Sequence, residues 1–187
     1  MGIINQRKEL RKEIKKSSTI FLMAHKDMDL DALGSCIGLY TILTKKNKEC
    51  YIIIDDRQHE MGVEKVLLEL DGYLKIIKSE NIEEKLNKRL KKNLLIILDT
   101  NKTDLVQSKD ALKKLDRKLI IDHHDVSKST IKDAIKIIDN KVSSTCEMIT
   151  ELIEYYDVEV EPYYATVLLS GIVLDTNNFT LNTTSDT

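Results

Sequence analysis

Aspartate and histidine are concentrated at four places in this chain. His25, Asp29 and Asp31 follow the apolar run Ile20-Phe21-Leu22-Met23-Ala24. Asp99 ends the run Leu94-Leu95-Ile96-Ile97-Leu98, and Asp122-His123-His124 ends Lys118-Leu119-Ile120-Ile121. Asp175 sits in the otherwise apolar segment Gly171-Ile172-Val173-Leu174-Asp175-Thr176. Carboxylate oxygens and imidazole nitrogens suit Mn²⁺, Mg²⁺ and similar ions. Carboxylates this dense repel one another unless a cation lies between them. One ion cannot use His25, Asp29, Asp31, Asp99, His123 and Asp175 and stay open to a substrate. Two ions about 3.5–4 Å apart, bridged by one carboxylate, can, and such pairs activate water for in-line displacement.

Each residue also has a simpler reading. His25 could be a hydrogen-bonded loop histidine. Asp29 and Asp31 could cap a helix beginning near Ala32. Asp99 and Asp122 could open turns, and His123 and His124 could be exposed. What favours ligands is that all of them fall after strands, where open α/β sheets bind their ligands. For Asp175, spacing leaves ligand and N-cap equally open, since a carboxylate in apolar surroundings is costly unless paired or metal-bound. His59 lies in the charged stretch 55–64 and reads as solvated.

The elements that must position these residues alternate between strand and helix. Residues 3–16, within an N-terminal segment 1–17, read as a charged amphipathic helix. Strands are expected at 20–24, 51–54, 74–77, 94–98, 118–121 and 134–138. Helices are expected from about 32 to 45 and at 60–70, 80–92 and 109–115, and from Ser144 onward with a break near 157–162. The apolar runs are short and continuous, as in strands buried on both faces. The implied fold is α/β, a parallel β-sheet with helices on both faces. Ser144 and Glu147 fit a capping box.

Composition narrows the function classes. The 187 residues suit one domain, and a hydrophobic share of 42% allows a substantial core. A net charge of -2 gives no general attraction to duplex nucleic acid or anionic membrane. The lysine-rich stretches near 45–48 and 88–92 have no interleaved aromatics and read as exposed helix faces. No apolar run approaches the roughly 20 residues of a membrane span. Cys36, Cys50 and Cys146 match no zinc or disulfide pattern and read as reduced, partly buried thiols. Neither a P-loop nor a GxGxxG motif is present, which argues against the nucleotide folds those motifs mark.

The four motifs, in this order, resemble the DHH phosphoesterase superfamily: His25 with Asp29 and Asp31, Asp99-Thr100, Asp122-His123-His124, and Asp175. The resemblance runs from about residue 18 to 187. It extends to the cyclic-di-AMP phosphodiesterases of the GdpP type through Ser143–Leu152 and Leu168–Leu181. It implies that His25 and Asp29 hold one ion, Asp31, His123 and Asp175 the other, and that Asp99 bridges. It further implies Mn²⁺ as the ion, His124 as acid or donor near the phosphate, and Asp122 as the group that orients the histidines. Asp175 becomes a ligand on this reading. The expected reaction is opening of cyclic di-AMP to a linear dinucleotide. Short oligoribonucleotides, 3′-phosphoadenosine 5′-phosphate, pyrophosphate, or a non-catalytic nucleotide-binding role are the alternatives. The chain departs from many members in having Asp27-Met28 where they have Asn-Pro. Residues 1–187 are expected to be the catalytic domain of a longer parent, cytoplasmic itself, with a DHH-associated domain following and membrane-anchoring segments preceding.

Overall fold

The computed structural model describes residues 6–55 and 59–180. Six parallel strands, β1 (Thr19–Met23), β2 (Glu49–Ile53), β3 (Ile76–Ile77), β4 (Asn93–Leu98), β5 (Lys118–Asp122) and β6 (Ile135–Ile138), form one sheet in the order β3-β2-β1-β4-β5-β6. The helices α1 (Arg7–Lys16), α2 (Leu30–Lys45), α3 (Met61–Glu69), α4 (Ile82–Lys85), α5 (Lys109–Lys114), α6 (Thr145–Tyr156) and α7 (Pro162–Asp175) run before, between and after them. This strand order is that of doubly wound dinucleotide-binding sheets, although the Gly-rich turn is absent. The chain winds outward in both directions from β1 and β4, which opens a crevice beyond their carboxyl ends.

The alternation within the apolar runs divides the core in two. Ile20, Leu22, Leu94, Ile96 and Leu98 face a large cluster formed with α1, α2, α3, α6 and α7. Phe21, Met23, Leu95 and Ile97 face a smaller one with Ile82 of α4 and Ala111 of α5. Burying both faces is why these strands read as unbroken hydrophobic runs. Cys36, Cys50 and Cys146 are free and fully buried, deeper than expected. His59 is half-buried rather than solvated, and among the described residues neither ring nitrogen has a hydrogen-bond partner. No helix among the described residues is long and apolar enough to cross a membrane.

Two expectations about the elements fail. The helix expected at 80–92 is a 3₁₀ turn, the four-residue α4 and a second 3₁₀ turn at Leu90–Lys92. The side chain of buried Asn93 accounts for the break. It accepts from the Asn87 N–H (2.8 Å) and donates to the carbonyls of Asn87 and Leu90 (both 3.2 Å), which folds 87–93 into a loop instead of a helix. The strand expected at 74–77 pairs only at Ile76 and Ile77, at the sheet edge. The helix expected from residue 3 is described from Arg7, and residues 3–5 lie outside the described residues, as does Leu181.

Helices α2, α6 and α7 approach closely around Cys146. A Cβ on Gly34 would lie 2.7 Å from Cys146 Sγ. A Cβ on Gly171 would meet that sulfur at 2.7 Å and, at 2.9 Å, the backbone of Leu30 and Asp31. Only glycine lets α7 lie against the start of α2, and one turn later α7 carries Asp175. Gly171→Ala is therefore expected to destabilise by about 1–3 kcal/mol through overpacking, measured by urea denaturation. Gly62→Ala should change stability by less than about 1 kcal/mol, because its Cβ would meet only the flexible end of Leu30, at 3.3 Å.

Candidate metal centre

The crevice between β1 and β4 collects the expected residues. His25 and Asp29 follow β1, Asp99 follows β4, and Asp122 ends β5 just before His123 and His124. Asp31 lies in the first turn of α2, and Asp175 is the last residue of α7. Asp175 is thus no N-cap. It sits at the end of a helix where the dipole opposes a negative charge, so it gains most from a cation.

Three overlapping groups of potential ligand atoms, the atoms of each within 4.8 Å of one another, are Asp99 with His25 and Asp29, Asp99 with His123 and His124, and Asp31 with His123 and Asp175. His25 Nε2 stands 3.4 Å from Asp99 Oδ2 and 3.7 Å from Asp29 Oδ2. His123 Nε2 stands 3.4 Å from Asp99 Oδ1, 3.3 Å from Asp175 Oδ2 and 3.9 Å from Asp31 Oδ2. Asp99 therefore turns one oxygen to each histidine. Ligand atoms about 2.1 Å from a common ion stand about 3 Å apart along an octahedral edge, close to this spacing. His123 Nε2 is buried and, among the described residues, has no hydrogen-bond partner despite three nearby carboxylates. The donor set and this orphaned nitrogen both fit a divalent cation.

The local structure holds each group. Asp29 is both cap and candidate ligand: Oδ1 accepts from the Ala32 N–H at 2.9 Å, leaving Oδ2 toward His25. Asp31 is fully buried, and its carboxylate accepts from the Thr145 N–H (2.8 Å) and the Cys146 N–H (2.7 Å) at the start of α6. A helix N-terminus is a natural seat for a carboxylate. The expected capping box is present in altered form. Ser144 Oγ accepts from the Glu147 N–H, while Glu147 accepts from the N–H and hydroxyl of Ser143. Asp99 adopts a left-handed backbone (φ 58°), which Asp tolerates. Met28 is fully buried and anchors the loop between His25 and Asp29.

Asp122 serves one histidine, not both. Its Oδ1 lies 2.8 Å from His124 Nδ1, and its Oδ2 accepts from Asn101 Nδ2 at 2.6 Å. Oδ1 also accepts from the His124 N–H at 3.2 Å, and among the described residues Asp122 makes no bond to His123. Asn101 is held in turn by the Thr130 hydroxyl at 2.8 Å. His124 Nδ1 also lies 3.8 Å from Asp99 Oδ1, so the half-exposed His124 ring stands beside the cluster. A cavity of about 280 Å³ is lined by His25, Asp99, His124 and Asp175, with Lys102 and Leu105 on its wall. A larger groove of about 520 Å³, bounded by Arg11, Lys15, Lys46 and Lys48, has no such ligand set. Asn101, Lys102 and Thr145 were not singled out from sequence. Their signals were Asn101 and Lys102 lying two and three residues past Asp99, and Thr145 lying in the capping segment.

Without metal, the charges lean on one another. Burial pushes His25 down, but Asp29 and Asp99 outweigh it and hold the imidazole at about 10. His123 is likewise pushed down by burial and held at about 9, mainly by Asp99. Burial and Asp99 lift Asp175 to about 6. Burial and the Asp99 and Asp175 carboxylates also push Asp31 up, against the Cys146 N–H. Burial would raise Asp99, but His123 and His25 hold it well below the usual carboxylate range. Hydrogen bonding to Asp122 raises His124.

The profile of the DHH family, N-terminal domain, matches residues 19–172, and the chain belongs to that family. It is 35% identical over 189 residues to "Cyclic-di-AMP phosphodiesterase PdeA" of Listeria monocytogenes, covering 95% of this chain and 28% of that protein. It is 32% identical over 182 residues to "Cyclic-di-AMP phosphodiesterase GdpP" of Bacillus subtilis, again covering 95% of this chain and 28% of the relative. The chain thus spans little more than a quarter of the length of these relatives. In fold it is similar to an exopolyphosphatase-related protein from Bacteroides fragilis, with a TM-score of 0.73 at 23% identity, covering 96% of this chain and 52% of that one.

The raised histidines set a pH dependence for metal-free protein. Groups held at about 10 and 9, against 6.5 unfolded, contribute stability that is complete below pH 6.5 and lost as pH rises through 9 and 10. Asp175, raised to about 6, adds a loss in the same direction between pH 3.8 and 6. Chelator-treated protein is therefore expected to melt at progressively lower temperature from pH 6.5 to 10. A melting temperature that rises over that range would contradict the arrangement.

Proposed function

We propose that this chain is the catalytic part of a metal-dependent phosphodiesterase that opens cyclic di-AMP to a linear dinucleotide. The observation that carries the reading is Asp99, whose two oxygens face separate histidine–carboxylate groups. His25 and Asp29 would hold one divalent ion, Asp31, His123 and Asp175 would hold the other, and Asp99 would serve both. Mn²⁺ is the ion proposed. When bound, the ions supply an acidified water and offset charge on the phosphoryl oxygens.

The chain's own side chains do the rest. Asp122 and Asn101 fix the ring of His124 so that Nε2 faces the substrate, where it donates a hydrogen bond or a proton to the departing oxygen. Lys102 offers a cation on the cavity wall to the phosphodiester. The named activity of the PdeA and GdpP relatives supports the cyclic dinucleotide over other phosphoesters. The activity of the whole protein remains part of the proposal, since the chain covers 28% of each relative.

The test is turnover with Mn²⁺ by the chain and by its full-length parent. Cyclic di-AMP is compared with a short oligoribonucleotide, 3′-phosphoadenosine 5′-phosphate and pyrophosphate, and products are resolved by chromatography. Cyclic di-AMP should be the best substrate of the parent, and preference for another of the four would replace the substrate assignment. Asp99→Asn and His123→Ala should abolish turnover. His124→Ala should lower kcat by about 10²–10⁴-fold while Mn²⁺ still binds. Full manganese-dependent activity in Asp99→Asn would refute the site.

A further inference from the structure

We infer that Thr145 is a positioning residue that locks the rotation of the Asp99 carboxylate and thereby couples the two halves of the metal centre. The inference rests on the two-ion reading above. Thr145 is fully buried at the first position of α6. Its side chain does not turn back to its own helix. Its hydroxyl donates to Asp99 Oδ1 at 2.9 Å, and its backbone N–H donates to Asp31 Oδ2 at 2.8 Å. One residue thus touches both the shared carboxylate and a carboxylate of the second group.

Rotation is what this bond controls. Asp99 ends β4 with a left-handed backbone, and its N–H is tied to the Ile121 carbonyl at 3.0 Å, so its main chain is set by the sheet. The carboxylate plane is not set that way. The contacts of Asp99 with His25 and His123, at 3.4 Å each, come from imidazole nitrogens that would themselves turn to an ion, so with ions bound they would no longer orient the carboxylate. The Thr145 hydroxyl is the remaining side-chain donor to Asp99 among the described residues. By engaging Oδ1 it turns that oxygen toward His123 and leaves Oδ2 toward His25. Donors behind a metal ligand typically change affinity 10–100-fold when removed. Threonine suits the role because its branched Cβ restricts χ1 and its methyl group fills the packed wall.

The experiment is Mn²⁺ binding to the chain by calorimetry, with electron paramagnetic resonance to detect a spin-coupled ion pair, so no turnover is needed. Wild type should bind two ions as a coupled pair. Thr145→Val keeps the shape and removes the donor. It should weaken binding about 10–100-fold or lose the coupled signal. Thr145→Ser, which restores the hydroxyl, should bind close to wild type. Should Thr145→Val fail to fold, Thr145→Ala replaces it, with the same expectation. Wild-type affinity and coupling in the variant lacking the hydroxyl would overturn the inference, as would Thr145→Ser binding as poorly as that variant. Failure of wild type itself to bind a pair of ions would instead refute the two-ion reading on which the inference rests.

Discussion

The structure depends on one electrostatic constraint. Asp29, Asp31, Asp99 and Asp175 are gathered at one end of a sheet, and charges of one sign so close together need compensation. The fold supplies part of it. Asp31 receives two N–H groups from the start of α6, and Asp29 receives one from the start of α2. Among the described residues, neither the Asp99 nor the Asp175 carboxylate accepts a backbone N–H from a helix start. They look toward His25 and His123, whose raised affinity for protons measures how much positive charge the cluster lacks. A proton on each imidazole is the substitute available when no ion is present. Metal ions and those protons compete for the same place.

That constraint explains the packing around Cys146. For the N-terminus of α6 to reach Asp31, α6 must come close to the first turn of α2. For Asp175 to reach His123, α7 must run along the same groove. Three helices meet where a single added Cβ would collide with sulfur or backbone. The small residues Gly34 and Gly171 and the slim Cys146 thus serve the charge cluster, even though they carry no charge. The buried sulfur also donates to the Asp31 carbonyl at 3.3 Å, tying the same turn a second way.

Much of this arrangement can be read in the sequence. Apolar runs ending in Asp or His announce strands with ligands at their carboxyl ends, because strand burial and strand-end chemistry both leave local marks. Asp31 shows what stays hidden. Its position just before Ala32 suits helix capping, yet its partners lie on α6, and no local pattern reveals a contact across the fold. Asn93 shows a second kind of blindness. A single buried amide breaks a segment of good helix formers, since tertiary hydrogen bonding outweighs propensity there. Asn101 and Thr145 were passed over because neutral polar residues look alike in sequence, and only geometry separates those aimed at a carboxylate from those aimed at solvent.

The two halves of the cluster differ in how they assemble. His25 and Asp29 lie on one loop, joined to Asp99 by the neighbouring strand β4, so this half is complete once β1 and β4 pair. The other half draws Asp31, His123 and Asp175 from three elements far apart in the chain. It exists only when α7 has docked on α2, and docking brings Asp175 into a field that repels it until His123 or an ion answers. Closure of the second half is therefore tied to positive charge: the charge favours docking, and docking orders the ligands. Asp99, held by Thr145, is the carboxylate that faces the histidines of both halves.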